Sequence, residues 1–371
     1  MNPKNQIIFI VSNEPWGDTW YSKQHYAWEL SEMGYLVYFL NPVDNWKFRN
    51  LFCFTINSER ISKNLFLINY KNNLPQGGRL FKYFTYINDF INCFKIRLRL
   101  KHKGAEVIWW KFDPFRFIVG IKSEYKQIYH VVDPYFHLWQ NIEHAKRADL
   151  IVCTNLKYIS FYNKLVTVNV INVPHGVSAN EFIIDKTIVE ELRSRYGVFA
   201  LIIGNINHYV DISLLQRLVD NGTRVLSIGK SSMSSCEWNK LKDNQNFYHL
   251  GQMHARNLKH YVAASTVGLV TYKVSGEEED RFVRSPLKVL NYLSQMRPVI
   301  STIPTGIVDI EGDGVFIAKN KDTFCELVSK AINQEVTINE GLIKNYLEKN
   351  SYKSLINIIL EELCSLRNTD E

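Results

Sequence analysis

Short hydrophobic runs alternate with longer amphipathic segments along the first half of the chain. Runs of about four to six apolar residues, bounded by polar or turn-forming residues, are typical of strands buried inside a parallel sheet. Between these runs, Tyr21–Met33 and Phe136–Lys146 repeat their apolar residues at helical spacing. The alternation predicts a doubly wound α/β domain. Its predicted strands are Ile7–Val11, Leu36–Leu40, Leu65–Ile68, Val107–Trp110, Ile128–Val132, Leu150–Cys153 and Val168–Ile171.

The same pattern begins again after the turn-rich stretch 173–177, whose sequence is Val-Pro-His-Gly-Val. We therefore expect a second α/β domain, with a hinge near residue 174. Ligands of such sheets bind beyond the carboxyl ends of the strands, and two facing sheets would leave a deep cleft. The predicted strands are Phe199–Ile203, Arg224–Ile228, Asn246–Tyr248, Val267–Val270, Pro298–Ser301 and Val315–Ile317, and the predicted helices are Asp211–Asp220, Ala255–Ala264, Pro286–Gln295 and Asp322–Asn333.

Two further helical patterns, Asn345–Glu348 and Tyr352–Leu366, close the sequence. We expect the last helix to cross back to the first domain. The expected boundaries are 1–177 for the first domain, 178–345 for the second and 346–371 for the returning helix. A length of 371 residues suits two domains of this kind.

The composition is that of an ordinary soluble globular protein, with 46% hydrophobic and 22% charged residues. No apolar run approaches the roughly 18 residues of a membrane span, and the run after residue 6 is too short for a signal-peptide core. We therefore expect a cytoplasmic protein, either free or at the inner face of the cell membrane. The six cysteines lack paired C-x-x-C spacing, so neither a disulfide framework nor a zinc site is predicted.

Positive charge is concentrated in the first half of the chain. Residues 1–175 contain 22 Lys and Arg against 13 Asp and Glu, whereas the remaining residues contain 22 against 24. A basic surface attracts nucleic acid, anionic lipid or a phosphorylated acceptor. Because no recognition helix or RNA-binding aromatic motif accompanies the charge, we do not expect a nucleic-acid partner.

The most basic segment, Arg79–Lys103, is also rich in apolar residues at alternating spacings of four and three. This pattern predicts an amphipathic helix. Two interpretations stay open. The apolar face packs against the first sheet, or the helix docks on an anionic membrane that carries a lipid-linked acceptor. Both can hold for different faces of the helix.

The segment Ser285–Thr302 predicts a helix followed by a buried strand, and its start favours an anion. Serine is a good cap, and proline fits the first helical position because it lacks an N–H group. The free N–H groups, the helix dipole and the charge of Lys288 would together attract a diphosphate. The alternative is a capped surface helix with a solvated lysine.

The Pro-His-Gly-Val hinge and the Ser-Pro-Leu-Lys helix before Arg-Pro-Val-Ile-Ser make the chain resemble glycosyltransferases of the GT-B fold. Ala148–Asn155 looks like the last N-terminal strand of that family, and Val173–Phe182 looks like its interdomain crossing. The likeness covers nearly the full length. It implies two Rossmann-like domains that face each other across a cleft. The second would bind a nucleoside-diphosphate sugar, expected to be UDP-linked, and the first a saccharide or lipid-linked saccharide acceptor.

The resemblance also implies a donor site in the second domain. Gly204 and Asn205 stand in the place of the family's phosphate-facing loop, although an ordinary β–α turn explains them equally well. Lys288 and Arg284 would neutralise the leaving diphosphate. The expected donor-binding residues are Gly204, Asn205, Gln252, Tyr272, Arg284, Ser285, Lys288 and Asn291.

One departure from the family's motif limits which members of the family the chain resembles. Many retaining members carry two glutamates separated by seven residues, and here these positions are Val283 and Asn291. Asn291 can still hydrogen-bond a pair of hydroxyls, whereas Val283 cannot replace a carboxylate. This departure moves the resemblance away from that retaining group and toward the family 4-like, xanthan glucuronosyltransferase and teichuronic-acid transferase type. This resemblance favours inversion at the anomeric carbon over retention.

An inverting reaction needs a base that takes the proton of the acceptor hydroxyl. Asp133 follows the predicted strand 128–132 at its carboxyl end, where a carboxylate would face the cleft. Asp18 and His25 are the other candidate bases, unless Asp18 only caps the next helix and His25 is half-buried on it. Asp133 can likewise be a substrate-binding residue or a cap. The expected acceptor-binding residues are Glu14, Trp16 and Trp20.

These features together predict a transferase for cell-surface polysaccharide such as capsule or O-antigen. No ligand spacing demands a metal, and GT-B enzymes seldom use one for chemistry, so no metal or other cofactor is expected. A nucleotide-sugar epimerase or hydrolase on the same scaffold, or a retaining transferase, is the alternative. A non-catalytic binding protein has the least support.

Overall fold

The computed structural model describes residues 6–76, 81–99, 104–273 and 287–365. The chain forms two compact units. The first unit ends at Pro174 and takes up the chain again from Tyr352. The second unit runs from His175 to Ser351 and also includes Gly17–Thr19.

The first unit is an α/β structure built on one eight-stranded sheet. Its strands are β1 (Gln6–Val11), β2 (Leu36–Leu40), β3 (Asn57–Arg60), β4 (Leu65–Asn69), β5 (Glu106–Lys111), β6 (Lys126–Val131), β7 (Leu150–Cys153) and β8 (Asn169–Asn172). The α-helices between these strands are α1 (Ser22–Glu32), α2 (Phe81–Arg99), α3 (Trp139–Ala145) and α4 (Leu156–Leu165). The sheet order is β3-β4-β2-β1-β5-β6-β7-β8. Only the β3–β4 pair is antiparallel among the described strands of this sheet. The central strands therefore end at one common edge.

Both faces of this sheet are covered by helices. Successive residues of β1 point to opposite faces, as the pleat of a strand requires. Ile8 and Ile10 join a core that includes Tyr26 of α1, whereas Phe9 joins a second core that includes Ile96 of α2. Burial on both faces explains why the strand has a continuous apolar sequence.

All seven strands predicted in this half are present, and β3 is the one that the hydrophobic pattern missed. Its sequence is Asn-Ser-Glu-Arg, and all four residues are exposed. The strand lies at the edge of the sheet and pairs only with β4. An edge strand without a buried face leaves no apolar pattern to predict it.

The second unit contains a six-stranded parallel sheet in the order β11-β10-β9-β12-β13-β14. The six predicted strands are all found, and helices α5 and α7 are additions. The strands are β9 (Ala200–Ile203), β10 (Val225–Ile228), β11 (Phe247–His249), β12 (Val267–Val270), β13 (Val299–Ser301) and β14 (Val315–Ile317). The helices are α5 (Lys186–Tyr196), α6 (Ile212–Asp220), α7 (Cys236–Lys242), α8 (Ala255–Ala264), α9 (Lys288–Ser294), α10 (Lys321–Ile332) and α11 (Glu340–Lys349).

The last helix, α12 (Tyr352–Ser365), belongs to the first unit. Its buried residues Tyr352, Ile356 and Leu360 share a core with Tyr26 of α1 and with Ile8 of β1. The helix thus covers one face of the first sheet together with α1. The apolar residues of its sequence pattern supply the buried side.

Helix α2 packs on the opposite side from the one that its apolar residues suggested. The described part of the basic segment is Phe81–Arg99, and the ends of the predicted range, Arg79 and Lys103, lie outside the described residues. The interpretation that its apolar residues pack on the sheet fails for Ile87, Phe94 and Leu98, which are exposed. The buried side consists mainly of polar residues.

Tyr292 locks α9 onto the sheet of the second unit. Its ring lies over Gly268 in β12, where a Cβ atom would fall well inside van der Waals contact with the ring. Its hydroxyl accepts a hydrogen bond from the backbone N–H of Ile203 (3.0 Å) and donates one to the carbonyl of Leu269 (3.4 Å). A side chain on residue 268 is therefore incompatible with this position of the helix.

We predict that Gly268→Ala destabilises the second unit by about 1–3 kcal/mol, because the new methyl group displaces the Tyr292 ring in a closely packed core. The matched control is Gly341→Ala in α11, where a Cβ atom would lie 3.7 Å from its nearest neighbour, Asn339 Oδ1. The control should be neutral or slightly stabilising. Urea unfolding of both variants checks this. Equal stability of Gly268→Ala and the parent would contradict the proposed close contact.

Candidate functional site

Three glycine turns follow the carboxyl ends of adjacent strands in the second unit. Gly204 follows β9, Gly229 follows β10, and both have positive φ angles of 103° and 150°. A Cβ atom on Gly229 would clash with the carbonyl group of Gly204. The N–H group of Gly229 donates to the carbonyl of Gly251, the turn after β11, at 2.8 Å. Backbone therefore forms this edge of the sheet, which leaves room for a ligand to approach closely.

The ammonium group of Lys288 lies at the first of these turns. Its Nζ atom is 3.3 Å from the position that a Cβ atom on Gly204 would occupy, and 5.1 Å from the centre of the Tyr272 ring. Lys288 and Tyr292 are four residues apart on α9, so they lie on the same side of the helix. The hydrogen bond from Ile203 to Tyr292 therefore also sets the place of the lysine. Gly204, Tyr272 and Lys288, all predicted donor-binding residues, come together.

Tyr272 follows β12 by two residues, and its backbone is held from two sides. Lys273 donates its N–H group to the carbonyl of Tyr209 at 2.7 Å, and the hydroxyl of Thr302 donates to the carbonyl of Tyr272 at 2.7 Å. These bonds fix the aromatic ring beside the lysine. A cation over the face of a ring is attracted by the ring quadrupole, so Tyr272 helps to hold the ammonium group of Lys288 in this position.

The other predicted donor residues are arranged as follows. Asn205 is exposed next to Gly204, and Asn291 is half-buried one helical turn beyond Lys288. Gln252 is exposed and donates from Nε2 to the hydroxyl of Thr19 at 3.0 Å. Arg284 and Ser285 lie outside the described residues, and so does the predicted Ser-Pro start of the helix. What the structure describes is thus a lysine and an asparagine on one helix beside a glycine turn.

Asp133 lies at the carboxyl edge of the first sheet, two residues after β6. Its side chain is exposed, and within the described part of the chain its carboxylate accepts no hydrogen bond. Asp113 follows β5 in the same way but is buried, and its carboxylate accepts hydrogen bonds from Phe115 N (2.6 Å) and Arg116 Nε (2.7 Å). Asp113 therefore has a structural partner, whereas Asp133 is available to a ligand.

Lys23 is a buried cation beside these acids that the sequence analysis missed. Its Nζ atom donates to Asn13 Oδ1 at 2.5 Å. Burial lowers the pKa of Lys23, and the carboxylates of Glu14, Asp133 and Asp113 oppose that shift. A lysine near the start of a predicted surface helix gives no sign of this position. Its location depends on how α1 packs above the ends of β1 and β5.

Tyr135 completes the polar cluster. Its hydroxyl is hydrogen-bonded to Asn13 Nδ2 at 3.4 Å. Burial raises the pKa of Tyr135, and the negative charges of Asp133, Asp113 and Glu14 raise it further. The hydroxyl thus stays protonated in the neutral range. The cluster combines carboxylates with a neutral phenol, an amide and a cation, which is a set of groups that can hydrogen-bond sugar hydroxyls.

The predicted acceptor-binding tryptophans pack on one another. The ring centres of Trp16 and Trp20 are 5.2 Å apart, and Trp20 also contacts His25 at 5.2 Å. His25 stacks on Tyr352 of α12 with 8° between the ring planes. Burial lowers the pKa of His25 to about 4, so this imidazole is neutral at pH 7 and its conjugate acid is strong. Burial therefore makes His25 a weaker base for the acceptor proton than an ordinary imidazole.

Asp18 is exposed in the segment 17–19, and its backbone carbonyl accepts a hydrogen bond from Ala255 N–H at 2.8 Å. The residue that precedes the first turn of α1 is Tyr21. Asp18 is therefore not the cap of that helix, which was one of the two interpretations of this residue.

Glu181 lies in the segment that resembles the interdomain crossing. It is buried and is not part of the candidate site. Its backbone carbonyl accepts a hydrogen bond from Gln295 Nε2. Burial raises the pKa of Glu181 from 4.5 to about 7, and the positive charge of Lys259 opposes that rise. Glu181 therefore has a structural role in the second unit. Its carboxyl group loses its proton as the pH rises through the neutral range.

Two kinds of feature are absent from the described ranges, residues 6–76, 81–99, 104–273 and 287–365. No group of three His, Cys, Asp or Glu side chains in these ranges is placed to hold a metal ion. None of the helices in these ranges combines the length and apolar character needed to cross a bilayer.

No protein-family model matches the chain, and no curated protein matches it. Solved structures do match. HepE from Anabaena in complex with UDP is 12% identical, with a TM-score of 0.67 over 97% of this chain and 100% of that chain. Sucrose-phosphate synthase from Thermosynechococcus elongatus is 11% identical, with a TM-score of 0.67 over 98% and 100%. The lipopolysaccharide outer core galactosyltransferase WaaB is 15% identical, with a TM-score of 0.59 over 97% and 99%.

These structural neighbours are glycosyltransferases of the GT-B fold. At such low identity the likeness shows the fold alone. The chain therefore has the GT-B fold, with two Rossmann-like α/β domains, and the predicted fold class is confirmed. The finer resemblance to the xanthan and teichuronic-acid type stays a prediction.

We predict that Glu181 makes the stability of the protein fall between about pH 5 and pH 8. Because its pKa is higher in the folded protein than its ordinary value, the stabilising proton is fully bound below pH 4.5 and is lost as the pH rises through 7. The loss should be on the order of 2–3 kcal/mol. Glu181→Gln should remove it, and Glu190→Gln, on the exposed side of α5, should not. Denaturation at several pH values measures this, and identical pH profiles for parent and Glu181→Gln would exclude the assignment.

Proposed function

We propose that the protein is a glycosyltransferase that moves a sugar from a UDP-linked donor to a saccharide or lipid-linked saccharide acceptor in cell-surface polysaccharide biosynthesis. The observation that carries this proposal is the ammonium group of Lys288 held against the Gly204 turn and the Tyr272 ring. A cation fixed over bare backbone at the ends of parallel strands is suited to a diphosphate.

The second unit would bind the donor. When the bond between the sugar and the diphosphate breaks, the leaving nucleoside diphosphate gains negative charge. Lys288 would stabilise that charge, and because Tyr292 and Tyr272 hold the helix and the lysine, little reorganisation accompanies the reaction. Asn291 would hydrogen-bond ribose hydroxyls, and the turn after β11 that contains Gln252 would hold the nucleotide base. Arg284 and Ser285 are proposed as further donor contacts from the resemblance alone.

The first unit would present the acceptor and the base. Asp133 is the proposed base, because it is the exposed carboxylate of the cluster around Lys23. Glu14, Trp16 and Trp20 are proposed to bind the acceptor, and Asp18 or His25 are the alternative bases. Attack by the deprotonated hydroxyl on the anomeric carbon in one step would invert that carbon. We propose that the reaction needs no metal.

The neighbouring structures support the proposed donor and the proposed pathway class. HepE is described in complex with UDP and in complex with UDP and glucose. WaaB is described as a lipopolysaccharide galactosyltransferase, and WaaG as a glycosyltransferase of lipopolysaccharide biosynthesis. Thermal stabilisation by a panel of nucleoside diphosphate sugars would identify the donor, since a ligand that binds only the folded state raises the melting temperature.

We predict that Lys288→Ala weakens UDP binding about 10- to 100-fold and abolishes donor turnover, since it removes the cation that faces the diphosphate. Lys344→Ala, which removes an exposed lysine from the surface pair with Glu340, is the control and should change neither. Calorimetric titration with UDP and assays of UDP release from UDP-sugars test this. Equal UDP affinity and release in Lys288→Ala and the parent would refute the donor assignment.

We predict that Asp133→Asn keeps UDP binding but lowers transfer about 10²- to 10⁴-fold, because the amide cannot take the acceptor proton. Asp44→Asn, on an exposed loop of the same unit, is the matched control. The assay compares UDP release with and without a saccharide acceptor. Undiminished transfer by Asp133→Asn would move the base to Asp18, Glu14 or His25. Equal release without any acceptor would indicate a hydrolase instead.

A further inference from the structure

Helix α2 is inverted relative to an ordinary surface helix, because its polar residues face the protein and its apolar residues face outward. The outward apolar residues recur at spacings of four, three, four and four, which places them in one stripe along the helix. Each of them is between 44% and 65% exposed. They are Tyr83, Ile87, Phe90, Phe94 and Leu98.

Specific hydrogen bonds hold this orientation. The carboxylate of Asp89 accepts hydrogen bonds from the backbone N–H groups of Phe117 (2.8 Å) and Ile118 (2.7 Å). Asn88 exchanges two hydrogen bonds with the backbone of Leu74. Rotating the helix to bury its apolar stripe would leave these buried polar groups without partners, which is costly. The outward position of the stripe is therefore a property of the fold.

A neighbouring loop adds three more exposed rings. Asn73 donates hydrogen bonds from Nδ2 to the carbonyls of Leu51 (2.9 Å) and Cys53 (3.2 Å). The same Asn73 side chain accepts a hydrogen bond from the ammonium group of Lys95 in α2 at 2.6 Å, and that group lies 5.6 Å from the Phe54 ring centre. The loop is thus tied to the helix. Its rings, Phe48, Phe52 and Phe54, are between 61% and 78% exposed.

We call the five apolar residues of the α2 stripe and these three phenylalanines the aromatic surface. Exposed basic residues adjoin it in the same two segments. They are Lys47, Arg49, Lys82, Arg97 and Arg99. The segments 47–56 and 81–99 contain a single acidic residue, Asp89, and this residue is buried. The surface therefore joins apolar rings with positive charge and presents no negative charge from either segment.

We propose that the aromatic surface docks on an anionic lipid bilayer. Exposed rings partition into the interfacial region of a bilayer, and a basic rim is attracted by anionic headgroups. A second copy of the chain fits this surface less well, because a symmetric contact would bring the five basic residues of each copy together. The docking lies entirely within the first unit. It does not depend on the proposed transferase activity, so its test uses no sugar substrate.

The experiment is co-sedimentation of the full chain with vesicles of equal parts phosphatidylcholine and phosphatidylglycerol. The parent protein should bind these vesicles, bind phosphatidylcholine vesicles at least about tenfold more weakly, and lose binding as salt is raised. The double variant Phe90→Ser with Phe94→Ser should bind at least about tenfold more weakly, because it removes two rings that would enter the interface. Arg97→Glu with Arg99→Glu should weaken binding to anionic vesicles by a similar factor.

Two matched controls carry the same changes elsewhere. Leu156→Ser with Val308→Ser removes residues that are 70% and 76% exposed, and Lys186→Glu with Lys240→Glu reverses two exposed lysines. Both should bind like the parent. All variants should keep the parent melting temperature, since the replaced side chains are exposed. The proposal is overturned if the parent stays in the supernatant, or if the aromatic variant binds as well as its control. Dimerisation that the aromatic variant abolishes, without vesicle binding by the parent, would assign the surface to a second copy.

Discussion

The contact between Tyr292 and Gly268 is the constraint on which the proposed donor site depends. The absence of a side chain at Gly268 lets the tyrosine ring lie directly against β12, and the hydroxyl then reaches the N–H group of Ile203 at the end of β9. Lys288 is one helical turn earlier on the same side of α9, so the lysine is delivered to the Gly204 turn. A buried packing contact thereby determines the position of a charged group at the edge of the sheet.

In the first unit, polar interactions determine the positions of the charged groups. The carboxyl ends of β1, β5 and β6 carry several acids, which would repel one another if left alone. Arg116 forms an ion pair with Asp113, and the buried ammonium group of Lys23 lies among the remaining carboxylates. Asp133 stays exposed and without a hydrogen-bond donor among the described residues. The separation of a paired structural acid from an available one follows from burial and not from residue type.

Helix α2 shows how polar burial can determine an outer surface. Its amphipathic sequence predicted a helix correctly, but the same spacing did not reveal which face is buried. Asp89 and Asn88 have backbone partners that come from other parts of the chain, near residues 117 and 74. Once these bonds form, the apolar stripe has no place in the core. The hydrophobic pattern alone would assign the faces the other way round.

The sequence by itself determined the strands, their parallel arrangement and the two α/β units, because strands buried on both faces need continuous apolar runs. It also indicated the glycine turn and Lys288, since both are local features next to strands or helix starts. It did not determine β3, whose exposed residues carry no pattern. It also did not determine the burial of Lys23, whose surroundings include Asp113 and Asp133, far away in the chain at the ends of β5 and β6. Only the tertiary structure decided which charged groups are paired, which are exposed and which face of α2 meets solvent, because long-range hydrogen bonds and packing set all three.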